Sequence, residues 1–367
     1  MINSREERTM EGFAFTRRLQ EVSDREVDRL REHFQDLAES FDPSTLGEHT
    51  LFPLQMTWFY GEPVWHELQP EDRLLLNRLC FCQSYLSTAV AEIATNVLNM
   101  ESALRTILRG TPEVALYMAR EVVEEMAHLQ AFFTIIQRVL AYYSIPFDLL
   151  RERNPSLVLA ERFVRGHTLL GWAVGHLHLY YFTRFALNVN QKTVERCTID
   201  EPNIHPVVRQ LLKNHAIDEA RHMQMSRATG IAALQQMRNP VFRVLACLAY
   251  ARFAASIFIG RHSRDSRLTR ETRIGTLEIV GVERDYAVQA YREWRDRVNQ
   301  REDPPLVKAA RKYFLRCNHD YIDDLPIAPW VKRRMKKIID AAYPDLTDPS
   351  STDSVQPLQF GELSRNH

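Results

Sequence analysis

Glycine is scarce in this chain. It accounts for 12 of 367 residues, about 3% where ~7% is usual. Few positions are therefore suited to the positive φ that hairpins and tight strand turns require, which disfavours a β-rich fold. Cysteine is sparse too. Cys80, Cys82, Cys197, Cys247 and Cys317 are odd in number, dispersed and without a CxxC pair. This argues against a disulfide framework or a thiolate zinc site and fits a reducing cytosol. Net charge is absent: 47 Lys+Arg balance 47 Asp+Glu, so no overall field draws the chain to nucleic acid or an anionic membrane. Met1 is followed by INSREERTMEG, which lacks the apolar core of a secretory signal, and a cytoplasmic location is expected. What remains, 45% apolar and 26% charged residues, is the composition of a soluble globular protein and excludes a disordered or collagen-like chain.

The pattern along the chain is helical. Residues 1–70 hold one amphipathic stretch, Arg25 to Ser40, and then an aromatic and proline-rich strap, LFPLQMTWFYGEPVWHELQP. Residues 71–262 hold the main body. One helix runs from Asp72 until Gly110 stops it, and a second opens on Thr111-Pro112 and reaches at least Tyr142. A third is predicted over Leu157 to Lys192, and a fourth is capped by Asn203 to Pro206. Four long helices with short connections predict an all-α four-helix bundle. A fifth segment, VFRVLACLAYARFAASIFIG, is apolar enough to suggest a membrane span. Arg243 and Arg252 argue against that, because a charge near the centre of a lipid-facing helix costs at least ~2.5 kcal/mol, so a buried helix or a homodimer face is expected. Further helices, Arg284 to Asn299, Leu306 to Asn318 and WVKRRMKKIIDAAYP, fall in residues 263–345, and 346–367 reads as a loose tail.

Thirteen histidines remain to be placed, and only His128 and His222 have a glutamate three residues earlier. On a helix, i and i+3 share a face, so Glu125 with His128 and Glu219 with His222 can each present an oxygen and a nitrogen to one point. Both pairs interrupt apolar stripes: Met118, Val122, Glu125, His128, Phe132, Ile136 on the second helix, and Val208, Leu211, His215, Glu219, His222, Met225 or Ser226 on the fourth. A buried carboxylate is costly unless paired or bound to metal. Glu125 follows Pro112, and Glu219 follows Pro206, by the same thirteen residues, which puts both pairs at one depth. The first helix adds Glu92, the only formal charge between Leu79 and Met100, at a matching depth that Glu101 misses. Glu92, Glu125, His128, His215, Glu219 and His222 thus form a mixed carboxylate and imidazole set. It suits two iron ions, or manganese, better than calcium or structural zinc, in the manner of ferritin-like di-metal bundles. Glu124 and Asp218 either orient a ligand histidine or make surface ion pairs, the reading given to Arg120 and Arg221.

At IHPVVRQLLKNHAIDEARHMQM the chain resembles the di-iron N-oxygenases typified by p-aminobenzoate N-oxygenase. His215 in HxxxExxH is the distinguishing residue, and the likeness extends through EVVEEMAH and the Glu92 helix, roughly residues 70 to 260. The resemblance implies metal ligands at Glu92, Glu125, His128, His215, Glu219 and His222, plus a glutamate on the third helix. Between Gly166 and Gln191 there is no acid, and Arg184 is the sole formal charge. His167, His176, His178, Thr183 and Asn188 are the polar candidates there, with Thr183 and Asn188 nearest the mirrored depth. Whether one of them, or none, replaces the glutamate stays open, as does a mononuclear or mixed-metal centre. Arg184 either anchors a substrate carboxylate or pairs with a buried acid such as Asp218. The resemblance implies an O2-dependent oxygenase for a small amine, with His215 and Glu219 as catalytic residues and an external electron donor. Other di-metal oxidations (C–H hydroxylation, desaturation, oxidative cleavage) and iron handling without an organic substrate are the alternatives. Tyr85, Phe132, Phe133, Trp172, Tyr180, Tyr181 and Phe185 would suit a planar substrate.

Overall fold

The computed structural model describes residues 27–108, 112–154, 177–257, 267–298, 304–343 and 346. Its helices, in order, are α1 (Val27–Ser40), α2 (Pro63–Glu67), α3 (Pro70–Leu108), α4 (Pro112–Tyr142), α5 (Phe147–Glu152), α6 (Leu177–Ile199), α7 (Pro206–Gln236), α8 (Pro240–Ile257), α9 (Arg267–Ile279), α10 (Arg284–Val298), α11 (Pro305–Asp324) and α12 (Pro329–Asp340). Among the described residues there is no strand, only an isolated bridge between Thr50 and Ile204, and the all-α expectation holds. Proline opens seven of these helices, where its missing N–H has no intrahelical partner to lose.

Two antiparallel pairs make the body, α3 along α4 and α6 along α7. Across them lies α1, packed on α4 and α7, with Phe34 and Ala38 buried. On the other sides α8 packs on α6 and α12, α11 on α6 and α12, and α9 on α3 and α10. The strap between α1 and α3 is held by the buried amide of Asn77 on α3. Its Oδ1 accepts from Leu51 N at 3.0 Å and Phe52 N at 3.3 Å, and its Nδ2 donates to Phe52 O at 2.7 Å and Thr57 Oγ1 at 2.8 Å. The strap also reaches the start of α7, where Thr50 N donates to Asn203 O and His205 N donates to Thr50 O, each at 3.0 Å.

Several expectations change. The N-cap of α7 is His205, whose side chain makes no capping bond, while Asn203 serves the strap. Thr111, expected to cap α4, lies outside the described residues, as do Leu157 to His176 of the predicted third helix and residues 347–367. The described part of that helix, α6, runs on to Ile199, because nothing in QKTVERCTI breaks it before Pro202. Helix α9 was not foreseen. Nor is α8 fully buried: Ala246, Cys247, Tyr250, Ala251 and Ala254 pack inward, and Val241, Phe242 and Leu245 are exposed. It is long and apolar enough to cross a membrane by length and composition, with 28% of that window buried.

Candidate metal centre

Glu92 on α3, Glu125 and His128 on α4, and His215 and Glu219 on α7 bring ligand atoms within 4.8 Å of one another, and all five are buried. Glu125 also belongs to a second group of this kind, with Glu121 and His222. The six sequence-predicted residues therefore converge between the helices, distributed over two overlapping sets.

Each imidazole has an outer nitrogen held by an acid and an inner nitrogen facing the cluster. His128 Nε2 donates to Asp218 Oδ2 at 2.9 Å, and its Nδ1 stands 3.2 Å from Glu125 Oε2. His222 Nε2 donates to Glu124 Oε2 at 2.9 Å, with Nδ1 3.1 Å from Glu125 Oε1 and 3.4 Å from Glu219 Oε1. The pattern crosses over: the acid preceding the glutamate on one helix holds the histidine of the other. His215 is turned the opposite way, Nδ1 donating to Glu195 Oε1 at 2.5 Å and Nε2 lying 3.4 Å from Glu92 Oε1 and 3.9 Å from Glu219 Oε1. A proton fixed on the outer nitrogen leaves the inner lone pair for a metal when the ring is neutral.

The donor set fits divalent iron or manganese. Both carboxylate oxygens of Glu92 and Nε2 of His215 are sealed from solvent without a hydrogen bond, a costly arrangement unless a cation completes it. The titration behaviour agrees. Burial pushes the Glu92 carboxyl up to about 7 against the pull of His215. Burial also works to raise Glu125, but the charge of His222 and bonds from His128 and His222 hold it below the ordinary range. Burial and His215 disfavour the charged form of His128, yet bonds to Asp218 and Glu125 raise it to about 9. Against burial, His215 and His222 are also raised well above the ordinary imidazole range, by Glu195 and Glu125 respectively. The cluster's acids call for positive charge at its centre.

A protein-family profile described as P-aminobenzoate N-oxygenase AurF matches residues 23–276. The chain belongs to this N-oxygenase family. No curated protein and no solved structure matches it.

In this N-oxygenase family member the described part of α6 does carry a buried acid, seven residues beyond Asn188. Glu195 on α6 is fully buried, gives Oε1 to His215 and leaves Oε2 sealed without a hydrogen bond. Asn188 instead lines a cavity, and the side chains of His178 and Thr183, like all of His167 and His176, lie outside the described residues. Glu121 was also missed: it is 1% exposed, while Val122, expected inward, is half-buried. Arg184 NH1 donates to Glu121 Oε2 at 3.0 Å, its NH2 also meets Oε1, and Asn99 Oδ1 lies 3.4 Å away, so its acid partner is Glu121 and not Asp218. Arg221, read as a surface residue, is largely buried and ties both histidine-holding acids, 2.7 Å from Asp218 Oδ1 and 3.3 Å from Glu124 Oε2.

A cavity of about 410 Å³ lies between α3, α6 and α9 and reaches the centre at Glu92, Glu125 and Glu219. Of the aromatic residues named in the sequence, Tyr85 lines it, Phe132 packs behind it with its ring 4.6 Å from that of Tyr85 and 5.0 Å from that of His215, and Phe185 is stacked on Tyr321. Trp172 lies outside the described residues, as do the side chains of Tyr180 and Tyr181. From the strap side, Phe34 of α1 closes the centre edge-on, its ring 4.6 Å from that of His128 and 6.4 Å from that of His215.

Proposed function

We propose that this protein is a non-haem di-iron oxygenase that uses O2 to oxidise the nitrogen of a small amine, by steps toward hydroxylamine, nitroso and nitro products. The observation behind this reading is the set of three imidazoles, each with one nitrogen held outside and one turned inward on buried carboxylates. Family membership supports it. Glu92, Glu125, His128, His215, Glu219 and His222 would hold two irons, with Glu125 placed to serve both. Bound iron supplies the redox chemistry of O2 activation. Asp218 and Glu124 fix two ligand rings, Glu195 fixes the third, and Phe34 keeps water out behind them. The cavity admits the amine beside Glu92 and Glu219, opposite α1. We further propose a cytoplasmic homodimer served by a separate electron donor.

An anaerobic Fe(II) titration, read as metal per chain, followed by O2 uptake with and without arylamines, tests this. Two irons per chain and amine-dependent O2 uptake are expected. A chain that binds no iron, or takes up O2 at the same rate whatever amine is present, sinks the reading.

A further inference from the structure

The turns of α3 and α4 that carry metal-centre residues are amphipathic in reverse. Their inward positions are polar, Glu92, Asn96 and Asn99 on α3 and Glu121, Glu125 and His128 on α4, all of them buried. Their outward positions are apolar: Ile93, Val97, Met100 and Leu104 are 43–63% exposed, and Leu116, Val123 and Met126 are 42–68% exposed. We propose that this outer face of the α3 and α4 pair is the surface through which two copies of the chain associate. The proposal rests on the homodimer put forward above, to which it gives an interface, and is independent of the oxygenase reading.

Both stripes follow the helix period, at i, i+4, i+7 and i+11 on α3 and at i, i+7 and i+10 on α4, so each is one continuous face. The two also match each other. Leu104 and Leu116 each stand six residues from Gly110 at the connection, Val97 and Val123 each stand thirteen, and Ile93 and Met126 stand seventeen and sixteen. An antiparallel pair therefore sets them side by side. Ala119 is exposed level with Met100, and Arg120 is exposed beside it. The centre takes inward positions that would otherwise carry apolar side chains, and these turns present their apolar side chains outward instead.

The size of the face decides what covers it. Roughly 700 Å² of apolar surface lies here, more than the ~300–600 Å² of the largest patch on a typical monomer and close to the ~800 Å² that each partner buries in a stable dimer. A pair of helices can meet its own copy about a two-fold axis, the commonest symmetry of soluble oligomers. With 47 positive and 47 negative residues, the chain has no net charge to hold copies apart. A lipid surface is a poorer match, because helices that lie on membranes set a Lys/Arg-rich face beside the apolar one, whereas the other sides of α3 and α4 are packed in the bundle. The start of α8, the dimer face expected from the sequence, exposes three large apolar side chains, Val241, Phe242 and Leu245, an extent that monomers commonly leave open.

The test is analytical sedimentation of the full chain, alone and with phosphatidylserine vesicles, for the wild type, Val97→Glu, Val123→Glu and Phe242→Glu. About a two-fold axis each substitution places two carboxylates in the interface, one from each copy. The wild type should run at twice the 42.9 kDa of one chain. Val97→Glu and Val123→Glu should each raise the dimer dissociation constant at least ~100-fold, and Phe242→Glu should leave it unchanged. Circular dichroism of the same samples should show full helix content. If a glutamate variant loses helix, Met100→Gln and Met126→Gln, which add no charge, take its place and should each weaken the dimer about tenfold. A monomeric wild type overturns the proposal, as does a dimer indifferent to the α3 and α4 substitutions or one split by Phe242→Glu. Wild type that sediments with the vesicles, where Val97→Glu does not, assigns the face to a lipid surface and overturns it as well. Iron per chain, counted in the same samples, keeps the readings apart: a dimer without iron defeats the oxygenase reading alone, and a monomer with two irons defeats the dimer and its interface alone.

Discussion

Helices α4 and α7 are built on one frame and differ at two positions that bear on the centre. Each carries an acid, then glutamate, then histidine three residues on: Glu124, Glu125, His128 against Asp218, Glu219, His222. Each histidine takes its outer hydrogen bond from the other helix, which locks the pair in register. The frame departs four residues before the glutamate, where α7 has His215 and α4 has Glu121, and one residue before the histidine, where α7 has Arg221 and α4 has Ala127. His215 gives its half of the centre a third imidazole, whereas Glu121 is already neutralised by Arg184. Two helices that repeat a motif thus contribute to two overlapping and unequal groups of buried side chains, one of five residues and one of three.

The largest test of that inequality is at the shared residue. Glu125→Ala should take iron from two per chain to none, because both groups lose a member. His215→Ala should leave one iron, because it removes a ligand from the larger group alone. Metal analysis after anaerobic loading decides it, and the reverse result, one iron retained by Glu125→Ala and none by His215→Ala, would invert the comparison.

Next in size is Glu121→Gln. Removing one partner of a buried ion pair strands the other charge, at a cost of ~3–5 kcal/mol. Chemical denaturation should show a loss of that order, with iron stoichiometry kept at two. If stability holds while an iron is lost, Glu121 is a ligand and the −4 positions are equivalent after all.

Smaller effects are expected where α4 and α7 agree. Asp218→Asn and Glu124→Gln each weaken the hold on one ligand ring, and such outer partners are worth roughly 10–100-fold in metal affinity. Asp218 should lie at the upper end, since its side chain is 2% exposed against 10% for Glu124. A competition titration with a metal-binding dye measures both, and equal losses would mean that burial does not grade them.

The sequence shows the shared frame plainly and the departures poorly. Glu92, Glu125 and Glu219 stand out because each is a charge inside an apolar stripe, and a helix period alone brings them to one depth. Glu195 has no such contrast. It sits among Gln191, Lys192, Thr193 and Arg196, reads as a solvated face, and lies past Lys192, where the third helix was expected to end. Depth matching failed there too, because Glu195 reaches His215, one turn nearer the start of α7 than Glu219. Glu121 is masked in the same way by Arg120 and Glu124, and only the long-range pairing with Arg184 accounts for its burial. The crossed acids were visible as alternatives, since a position one residue off the inward stripe becomes functional only when a second helix is packed against it.

The smallest predicted effect concerns the start of α7, which the strap ties down through His205. Thr45 Oγ1 gives its proton to Asp42 O at 2.6 Å, so His205 Nε2–H donates to Thr45 Oγ1 at 2.9 Å, and Nδ1 is left sealed without a hydrogen bond. Burial lowers this imidazole to about 4, with His49 and Arg78 adding to the effect, whereas the same type of side chain in the centre is raised. The sign follows. An unfolded histidine takes its proton near 6.5, the folded one resists until about 4, so the stability due to a neutral His205 is full above 6.5 and lost as pH falls from 6.5 through 4. Thermal unfolding of the metal-free protein should therefore fall more steeply across that window than for His205→Asn, which cannot take a proton. Equal slopes would show that the strap is indifferent to the charge at His205 and that the imidazoles of strap and centre differ less than their surroundings imply.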